Sequence, residues 1–171
     1  MLQLKYCDCY ILFVAYNMIK KDNMKKIVIF DLDGTLALID KRLDISTKDN
    51  GKMDWDKFFD PKNIDLDVPN KDVIKMADLL SNNHRIWILS GRSDVTYQAT
   101  VDWLNKHDIW FDHLVMRPQN HLYMPDNDLK QMWLDHICKP NVAMVFDDRN
   151  QVVDMWRKNG LTCFQVADGD F

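Results

Sequence analysis

The sequence predicts an α/β fold in which a parallel sheet carries helices on both of its faces. After residue 23, short apolar runs rich in β-branched residues alternate with amphipathic stretches of helical periodicity, which is typical of parallel α/β folds. The chain has 171 residues, of which 47% are hydrophobic, so it is long enough to bury a core of ordinary size. We therefore expect one globular domain over residues 24–171.

The strands and helices of this domain follow from local sequence. A run such as KIVIF is short, apolar and β-branched, which favours a buried strand. Runs of this kind predict strands at 26–30, 85–90, 112–116, 142–146 and 161–166. Apolar residues at helical spacing predict helices at 70–80, 93–107, 126–138 and 149–159. Asn70 is the expected cap of the first helix, and Gly160 is expected to end the last.

The longest irregular stretch, residues 36–69, follows the first strand and is rich in Asp and Lys. Its position predicts a small flap or cap inserted over the edge of the sheet. Trp55, Phe58 and Phe59 lie within it. Aromatic side chains of this kind are suited both to stacking a nucleic-acid base and to packing the insertion itself.

The N-terminal extension, the cysteines and the net charge bear on the cellular compartment and on the kind of partner that the protein binds. Residues 1–23 form an N-terminal extension of open role, whose apolar run is too short to span a bilayer. We therefore expect no membrane association. The cysteines lack paired zinc spacing, so we expect free thiols and a reducing cytoplasmic compartment. They are Cys7, Cys9, Cys138 and Cys163. A formal net charge of -4 argues against broad nucleic-acid binding but leaves room for a nucleic-acid end held in a local site.

Polar residues follow three of the predicted strands directly. They are Asp31 and Asp33 after the first strand, Ser90, Gly91 and Arg92 after the second, and Asp147 and Asp148 after the fourth. Parallel sheets of this type bind ligands beyond the carboxyl ends of their strands. We therefore expect these clusters to meet at one edge of the sheet.

Clustered aspartates at such an edge suit phosphoryl chemistry. Asp31, Asp33 and Asp147 supply the oxygen ligands that Mg²⁺ prefers, and a bound ion would offset their negative charge. One aspartate can then attack phosphorus to form an acyl phosphate while its neighbour acts as general acid and then base. The groups suited to the phosphoryl oxygens are the Ser90 hydroxyl, the Gly91 backbone N–H and the Lys130 ammonium.

In chain order, DLDGT, SGR, a lysine that opens a helix, and FDDR resemble the four sequence motifs of the haloacid dehalogenase superfamily. The resemblance covers residues 25–171 and implies a Rossmann-like sheet, a Mg²⁺ cofactor and phosphomonoester hydrolysis. It implies that Asp31 is the nucleophile, that Asp33 is the acid/base and a backbone metal ligand, and that Asp147 is a metal-binding acid. The phosphate contacts that it implies are Thr35, Ser90 and Lys130.

The carboxyl end, FDDRNQVVDMWRKNGLTCFQVADGDF, is similar to the 3′-phosphatase domain of phage polynucleotide kinase. That family places Arg42 and Arg92 on the substrate phosphate side and an aspartate, here Asp126, before Lys130 to orient it. Asp148 is a candidate for orienting a neighbouring group or a metal-bound water. The resemblance implies removal of a 3′-phosphate from a nucleic-acid or nucleotide end. No kinase domain is expected in this chain, since its glycines lack the spacing of a G-x-x-x-x-G-K-[ST] loop.

Two alternatives stay open at this point. A 5′-nucleotidase or small-metabolite phosphatase would use the same groups; the acidic balance favours it, whereas the carboxyl-terminal motif favours a polynucleotide end. A non-catalytic phosphoacceptor or signalling module would share the α/β layout. Such a module has no second aspartate to activate water, so Asp33 argues against it. Arg117, after the third predicted strand, is a further candidate substrate contact.

Overall fold

An all-parallel, five-stranded sheet forms the centre of the computed structural model, which describes residues 25–137 and 139–169. The described residues contain seven strands, five of which form this sheet. They are β1 (Ile27–Phe30), β2 (Ala37–Leu38), β3 (Val68–Pro69), β4 (Arg85–Ser93), β5 (His113–Arg117), β6 (Val142–Arg149) and β7 (Cys163–Gly169). The sheet order is β5-β4-β1-β6-β7, and β2 pairs separately with β3. Because β1 lies between β4 and β6, the residues that follow these three strands are neighbours.

Six α-helices are present in the described residues. They are α1 (Asp40–Ser46), α2 (Trp55–Phe58), α3 (Lys71–Ser81), α4 (Tyr97–Lys106), α5 (Asp126–Ile137) and α6 (Asn150–Lys158). Short 3₁₀ helices occur at Pro61–Leu66, Asp94–Thr96, Gln119–His121 and Lys139–Asn141. None of the helices in the described part of the chain is long and apolar enough to cross a membrane.

Both faces of the sheet are covered by apolar packing. Along β1, Val28 and Phe30 belong to one buried cluster, whereas Ile27 and Ile29 belong to another. Alternate residues of a strand point to opposite faces. The first cluster includes residues of α3 and α4, and the second includes residues of α5 and α6. The predicted fold class, a Rossmann-like parallel sheet with helices on both faces, is confirmed.

The predicted flap occupies the chain between β1 and α3. Its two ends are joined by the antiparallel pairing of β2 with β3, in which Ala37 faces Pro69 and Leu38 faces Val68. Helices α1 and α2 and the 3₁₀ helix Pro61–Leu66 lie between these strands. The flap therefore leaves the sheet and returns to it at one place.

Several element ends differ from the predictions: β6 and β7 end at Arg149 and Gly169, three residues later than expected. Two further differences concern the start of α4 and the cap of α3. The helix expected from residue 93 begins at Tyr97, because the chain stays extended through Ser93, which pairs with Arg117 of β5. Asn70 stands at the cap position of α3, but its side chain makes no cap hydrogen bond. Its Nδ2 instead donates to the Thr35 carbonyl oxygen at 3.0 Å. Asn70 therefore ties the end of the flap to the loop after β1.

Of the predicted free thiols, Cys163 is observed as a free, buried cysteine. Burial raises the pKa of its thiol to about 12, so the group is protonated at neutral pH and unreactive. Cys7, Cys9 and Cys138 lie outside the described residues, as does the predicted N-terminal extension at 1–23.

Candidate active site

The carboxyl ends of β1 and β6 bring three acidic side chains together. Asp31, Asp147 and Asp148 are all buried, and each offers a carboxylate oxygen within 4.8 Å of the other two. The Asp31 backbone N–H donates to the Phe146 carbonyl oxygen at 2.9 Å, which ties the ends of the two strands. The clustering expected from the strand ends is therefore present. Asp148 lies within the carboxylate cluster, where the sequence predicted only an orienting role nearby.

Lys130, on the first turns of α5, points into this cluster. Its Nζ donates to Asp31 Oδ1 at 2.6 Å and to Asp147 Oδ2 at 3.0 Å, and lies 3.5 Å from Asp126 Oδ2. Burial by itself would lower the pKa of Lys130, but these three carboxylates outweigh it and raise the pKa well above its ordinary value. The side chain is therefore a buried, permanently charged ammonium at neutral pH.

The charge balance of the cluster fits a divalent cation. Burial raises the pKa of Asp31 well above its ordinary value; Lys130 opposes this shift, and Asp147 and Asp148 add to it. One ammonium thus faces more buried carboxylates than it can neutralise. A cation bound by Asp31, Asp147 and Asp148 would offset this excess of negative charge and favour the ionised form of Asp31. Buried oxygen donors without thiol or imidazole groups are the set that Mg²⁺ accepts.

Thr35 and Gly34 hold Asp148 in place. The fully buried Thr35 hydroxyl, predicted to contact phosphate, donates to Asp148 Oδ1 at 3.2 Å. Gly34 has a φ of +87°, and a Cβ at this position would overlap the Asp148 carboxylate. Burial and the neighbouring Asp147 raise the pKa of Asp148 to about 6. The DGT sequence therefore supplies a tight turn whose backbone leaves room for this side chain.

Asp33 lies apart from the carboxylate cluster, in an ion-pair network with two arginines. Its Oδ1 accepts from Arg42 Nη2 at 2.6 Å and also from Arg92 Nη2. Asp67, at the end of the flap, accepts from Arg42 Nε at 2.8 Å and from Arg92 Nη2 at 2.8 Å. The Thr100 hydroxyl of α4 accepts from Arg92 Nη1 at 3.1 Å. We call Asp33, Arg42, Asp67 and Arg92 the arginine network.

The arginine network keeps Asp33 ionised. Burial alone would raise the pKa of this carboxyl, but Arg42 and Arg92 outweigh burial and lower the pKa to about 2. In this arrangement Asp33 is an acceptor, which is the form required of a base. Arg42 and Arg92, predicted from the sequence to lie on the substrate phosphate side, are both buried and pair with Asp33 and Asp67.

Ser90 and Gly91 lie in the carboxyl-terminal half of β4. The buried Ser90 Oγ accepts from the Arg92 backbone N–H at 3.2 Å. The Gly91 carbonyl oxygen accepts from Arg117 Nε at 2.8 Å. Arg117 Nη2 also donates to Asp126 Oδ1 at 3.0 Å, and Asp126 is near Lys130 on its other side. Arg117, a candidate substrate contact from sequence, thus joins β4 to α5 through Gly91 and Asp126.

A cleft of about 1200 Å³ opens above Asp31 and Asp33. One part of its lining comes from the flap, including Trp55 and Phe59, and another comes from the segment after β5, including Leu122 and Tyr123. A phosphate group alone would fill a small fraction of this volume. The cleft therefore has room for a larger organic group beside the acidic residues.

Asp67 was not identified from the sequence, and its contacts predict a large contribution to stability. Replacing Asp67 with Asn removes the charge that faces two buried guanidinium groups. We expect a loss of about 3 kcal/mol in the free energy of unfolding, measured in urea. Asp65→Asn is the matched control because Asp65 makes an exposed ion pair with Lys106, and it should change stability by less than about 0.5 kcal/mol. Equal stability of the two variants would contradict this role of Asp67.

Comparison with known proteins decides the family. The family model for the phosphatase domain of polynucleotide kinase PNKP matches residues 25–171. The chain belongs to this family. A putative bifunctional polynucleotide kinase/RNA ligase of Autographa californica nuclear polyhedrosis virus is 35% identical over 153 residues. The alignment covers 85% of this chain and 20% of the viral protein, so the chain spans about a fifth of that relative.

Solved structures agree with membership of the PNKP phosphatase family. A chain in the structure of the Pnkp1/Rnl/Hen1 RNA repair complex is 34% identical, with a TM-score of 0.68 over 88% of this chain and 45% of that chain. A haloacid dehalogenase family enzyme from Bacteroides thetaiotaomicron, solved with magnesium and inorganic phosphate, has a TM-score of 0.52 at 13% identity. That alignment covers 86% of this chain and 96% of the bacterial enzyme, and it shows the shared fold. The predicted superfamily is confirmed, and the chain is a phosphatase domain of the haloacid dehalogenase type.

Proposed function

We propose that this PNKP-type phosphatase domain removes the 3′-phosphate from polynucleotide or nucleotide ends through an aspartyl phosphate on Asp31. The observation that carries the proposal is the position of the Asp31 carboxylate. It lines the cleft, 2.6 Å from the Lys130 ammonium and beside Asp147 and Asp148, and it shares that cleft with Asp33 and Arg92. An acidic nucleophile, a cation and an acid/base residue are thus available at one place.

In the first step, a carboxylate oxygen of Asp31 attacks phosphorus and the bond from phosphorus to the 3′ oxygen breaks. The 3′ oxygen leaves as a hydroxyl, with its proton supplied by Asp33. In the second step, Asp33 takes a proton from water, which attacks the aspartyl phosphate and releases inorganic phosphate and free Asp31. Lys130 orients Asp31 and favours its ionised form.

The arginine network offers Asp33 a way to reach both protonation states that the mechanism needs. In the structure its pKa is lowered to about 2 by two guanidinium groups that outweigh burial, which suits the base. A substrate phosphate that accepts hydrogen bonds from Arg42 and Arg92 would compete with Asp33 for them. The pKa of Asp33 would then rise, and the carboxyl could carry the proton that the leaving oxygen requires.

Mg²⁺ would be held by the Asp31, Asp147 and Asp148 carboxylates and by the backbone of Asp33, and it would supply charge neutralisation for the approach of an anionic phosphate. The chain's own residues divide the remaining tasks. Ser90 and the backbone N–H of Gly91 are the proposed phosphate contacts on the β4 side, together with Lys130. Asp126 positions Lys130, and Thr35 positions Asp148.

The choice of a 3′ end rests on the family and the arginines. The family description and the relatives' names concern polynucleotide kinase and RNA repair. In this chain Arg42 and Arg92 both contact Asp33, the proposed acid/base residue. A 5′-nucleotidase or small-metabolite phosphatase remains the alternative with the same catalytic groups. The two readings differ in which phosphate is released.

The test compares 3′- and 5′-phosphorylated oligonucleotides and mononucleotides under identical conditions with Mg²⁺. We expect kcat/KM for a 3′-phosphate to exceed that for the matched 5′-phosphate by at least about tenfold. Release of phosphate from 5′ ends alone would support the nucleotidase alternative. Release from none of the 3′-phosphorylated substrates would contradict the proposed substrate.

A further inference from the structure

Three aromatic side chains of the flap form a cluster at the cleft. The Trp55 and Phe59 rings are stacked, with centroids 5.7 Å apart and an interplanar angle of 18°. The Phe58 ring meets Trp55 edge-on at 5.7 Å. We call Trp55, Phe58 and Phe59 the flap aromatic cluster.

Arg42 links the flap aromatic cluster to the proposed acid/base residue, Asp33. The Arg42 guanidinium carbon lies 4.3 Å from the centroid of the Phe58 ring, and Arg42 Nη1 donates to the Phe58 carbonyl oxygen at 3.4 Å. Arg42 in turn binds Asp33. A group that stacks on the cluster would therefore be held at a defined position relative to the acid/base residue.

Packing of the flap accounts for Phe58 but not for Trp55. Phe58 is buried, whereas Trp55 is 59% exposed and lines the same cleft as Asp31. An exposed indole ring held by a stacked neighbour presents a preformed aromatic surface. Leaving so much apolar area open beside an active site favours a ligand that covers it.

The charges near Trp55 favour a neutral occupant. Asp56 and Asp60 line the cleft next to the aromatic cluster, so a phosphate at this position would be repelled. Leu122 and Tyr123, from the segment after β5, line the cleft as well, and Tyr123 is completely exposed. A flat, uncharged ring fits this apolar and acidic surrounding, while the phosphate is drawn to the arginines and Lys130.

We propose that Trp55, supported by Phe59, is a stacking platform for the base of the nucleotide that carries the scissile phosphate. The proposal rests on the proposed function and adds a specificity-determining residue to it. Stacking reads the planar face of a base and is tolerant of sequence. Trp55 would therefore distinguish nucleotide ends from phosphomonoesters that lack a base.

The test uses two 3′-phosphorylated oligonucleotides that differ only in the terminal nucleotide, which carries a base in one and is abasic in the other. We expect Trp55→Ala to raise KM for the substrate with the base about tenfold, with kcat changed less than KM. Trp55→Phe keeps an aromatic face and should restore most of the loss. The matched control is Trp110→Ala, because Trp110 is 66% exposed and does not line this cleft.

The wild-type protein gives a second measurement that does not depend on the folding of a variant. It should show a lower KM for the substrate with the base than for the abasic one, and Trp55→Ala should remove this difference. An equal KM of the wild-type protein for both substrates would overturn the platform while leaving the phosphatase proposal intact. Equal effects of Trp55→Ala on both substrates would also overturn it. Failure of the wild-type protein to release phosphate from either would overturn the proposed function, and the platform with it.

Discussion

Asp31→Asn is expected to lower phosphate release by at least about 10⁴-fold, because an amide oxygen is a poor nucleophile and the aspartyl phosphate cannot form. Asn has the same shape as Asp and keeps an oxygen for the hydrogen bond from Lys130. The fold should therefore be retained. The measurement is inorganic phosphate released from a 3′-phosphorylated oligonucleotide in the presence of Mg²⁺.

Asp65→Asn serves as the control for this variant. Asp65 lies on the flap surface and forms an exposed ion pair with Lys106, so activity should stay within about twofold of the wild-type value. Thermal unfolding of both variants shows whether a loss of activity comes from unfolding. A folded Asp31→Asn protein with wild-type turnover would rule out Asp31 as the nucleophile.

Lys130→Met should have the second large effect, on stability as well as activity. Removing the ammonium takes away the cation that faces the buried carboxylates of Asp31 and Asp147, whereas Asp126 keeps its ion pair with Arg117. Breaking a buried ion pair from one side costs about 3–5 kcal/mol in the free energy of unfolding. We expect a loss in this range in urea at neutral pH without divalent cation, together with loss of phosphatase activity.

The pH dependence of the wild-type protein and the metal dependence of the variant provide further checks. The pKa of Lys130 is raised in the folded protein, so its stabilising contribution is present at neutral pH and is lost only when the pH rises through that raised value. Added Mg²⁺ should restore part of the stability of Lys130→Met by binding among the carboxylates. Lys106→Met, at an exposed ion pair, should change stability by less than about 0.5 kcal/mol. A Lys130→Met protein as stable as wild type would contradict the charge balance described for the site.

The sheet could be predicted because its buried strands appear in the sequence as short runs of apolar residues. IVIF of β1 has four buried residues in a row, as a strand covered on both faces requires. Element ends were less predictable because long-range contacts set them. The extended segment at 90–93 continues past the predicted strand end, where Arg92 joins Asp33 and Ser93 pairs with Arg117.

The carboxylate cluster could be anticipated for the same topological reason. Asp31 follows β1, Asp147 lies in the last part of the neighbouring strand β6, and Lys130 belongs to a helix that packs on one face of the sheet. The partners of Arg42 could not be predicted from the sequence, because they depend on where the flap returns to the sheet. Asp67 comes near Arg42 only through the pairing of β2 with β3. A lone aspartate in an irregular, acidic stretch gives no local sign of such a contact.

Locating the covalent phosphate tests the proposed mechanism most directly. Wild-type protein is mixed with Mg²⁺ and an oligonucleotide carrying a labelled 3′-phosphate, quenched rapidly in acid and digested into peptides for mass spectrometry. We expect the label on the peptide that contains Asp31, attached to that carboxylate and absent from Asp31→Asn. Label attached to any other residue would rule out an aspartyl phosphate on Asp31.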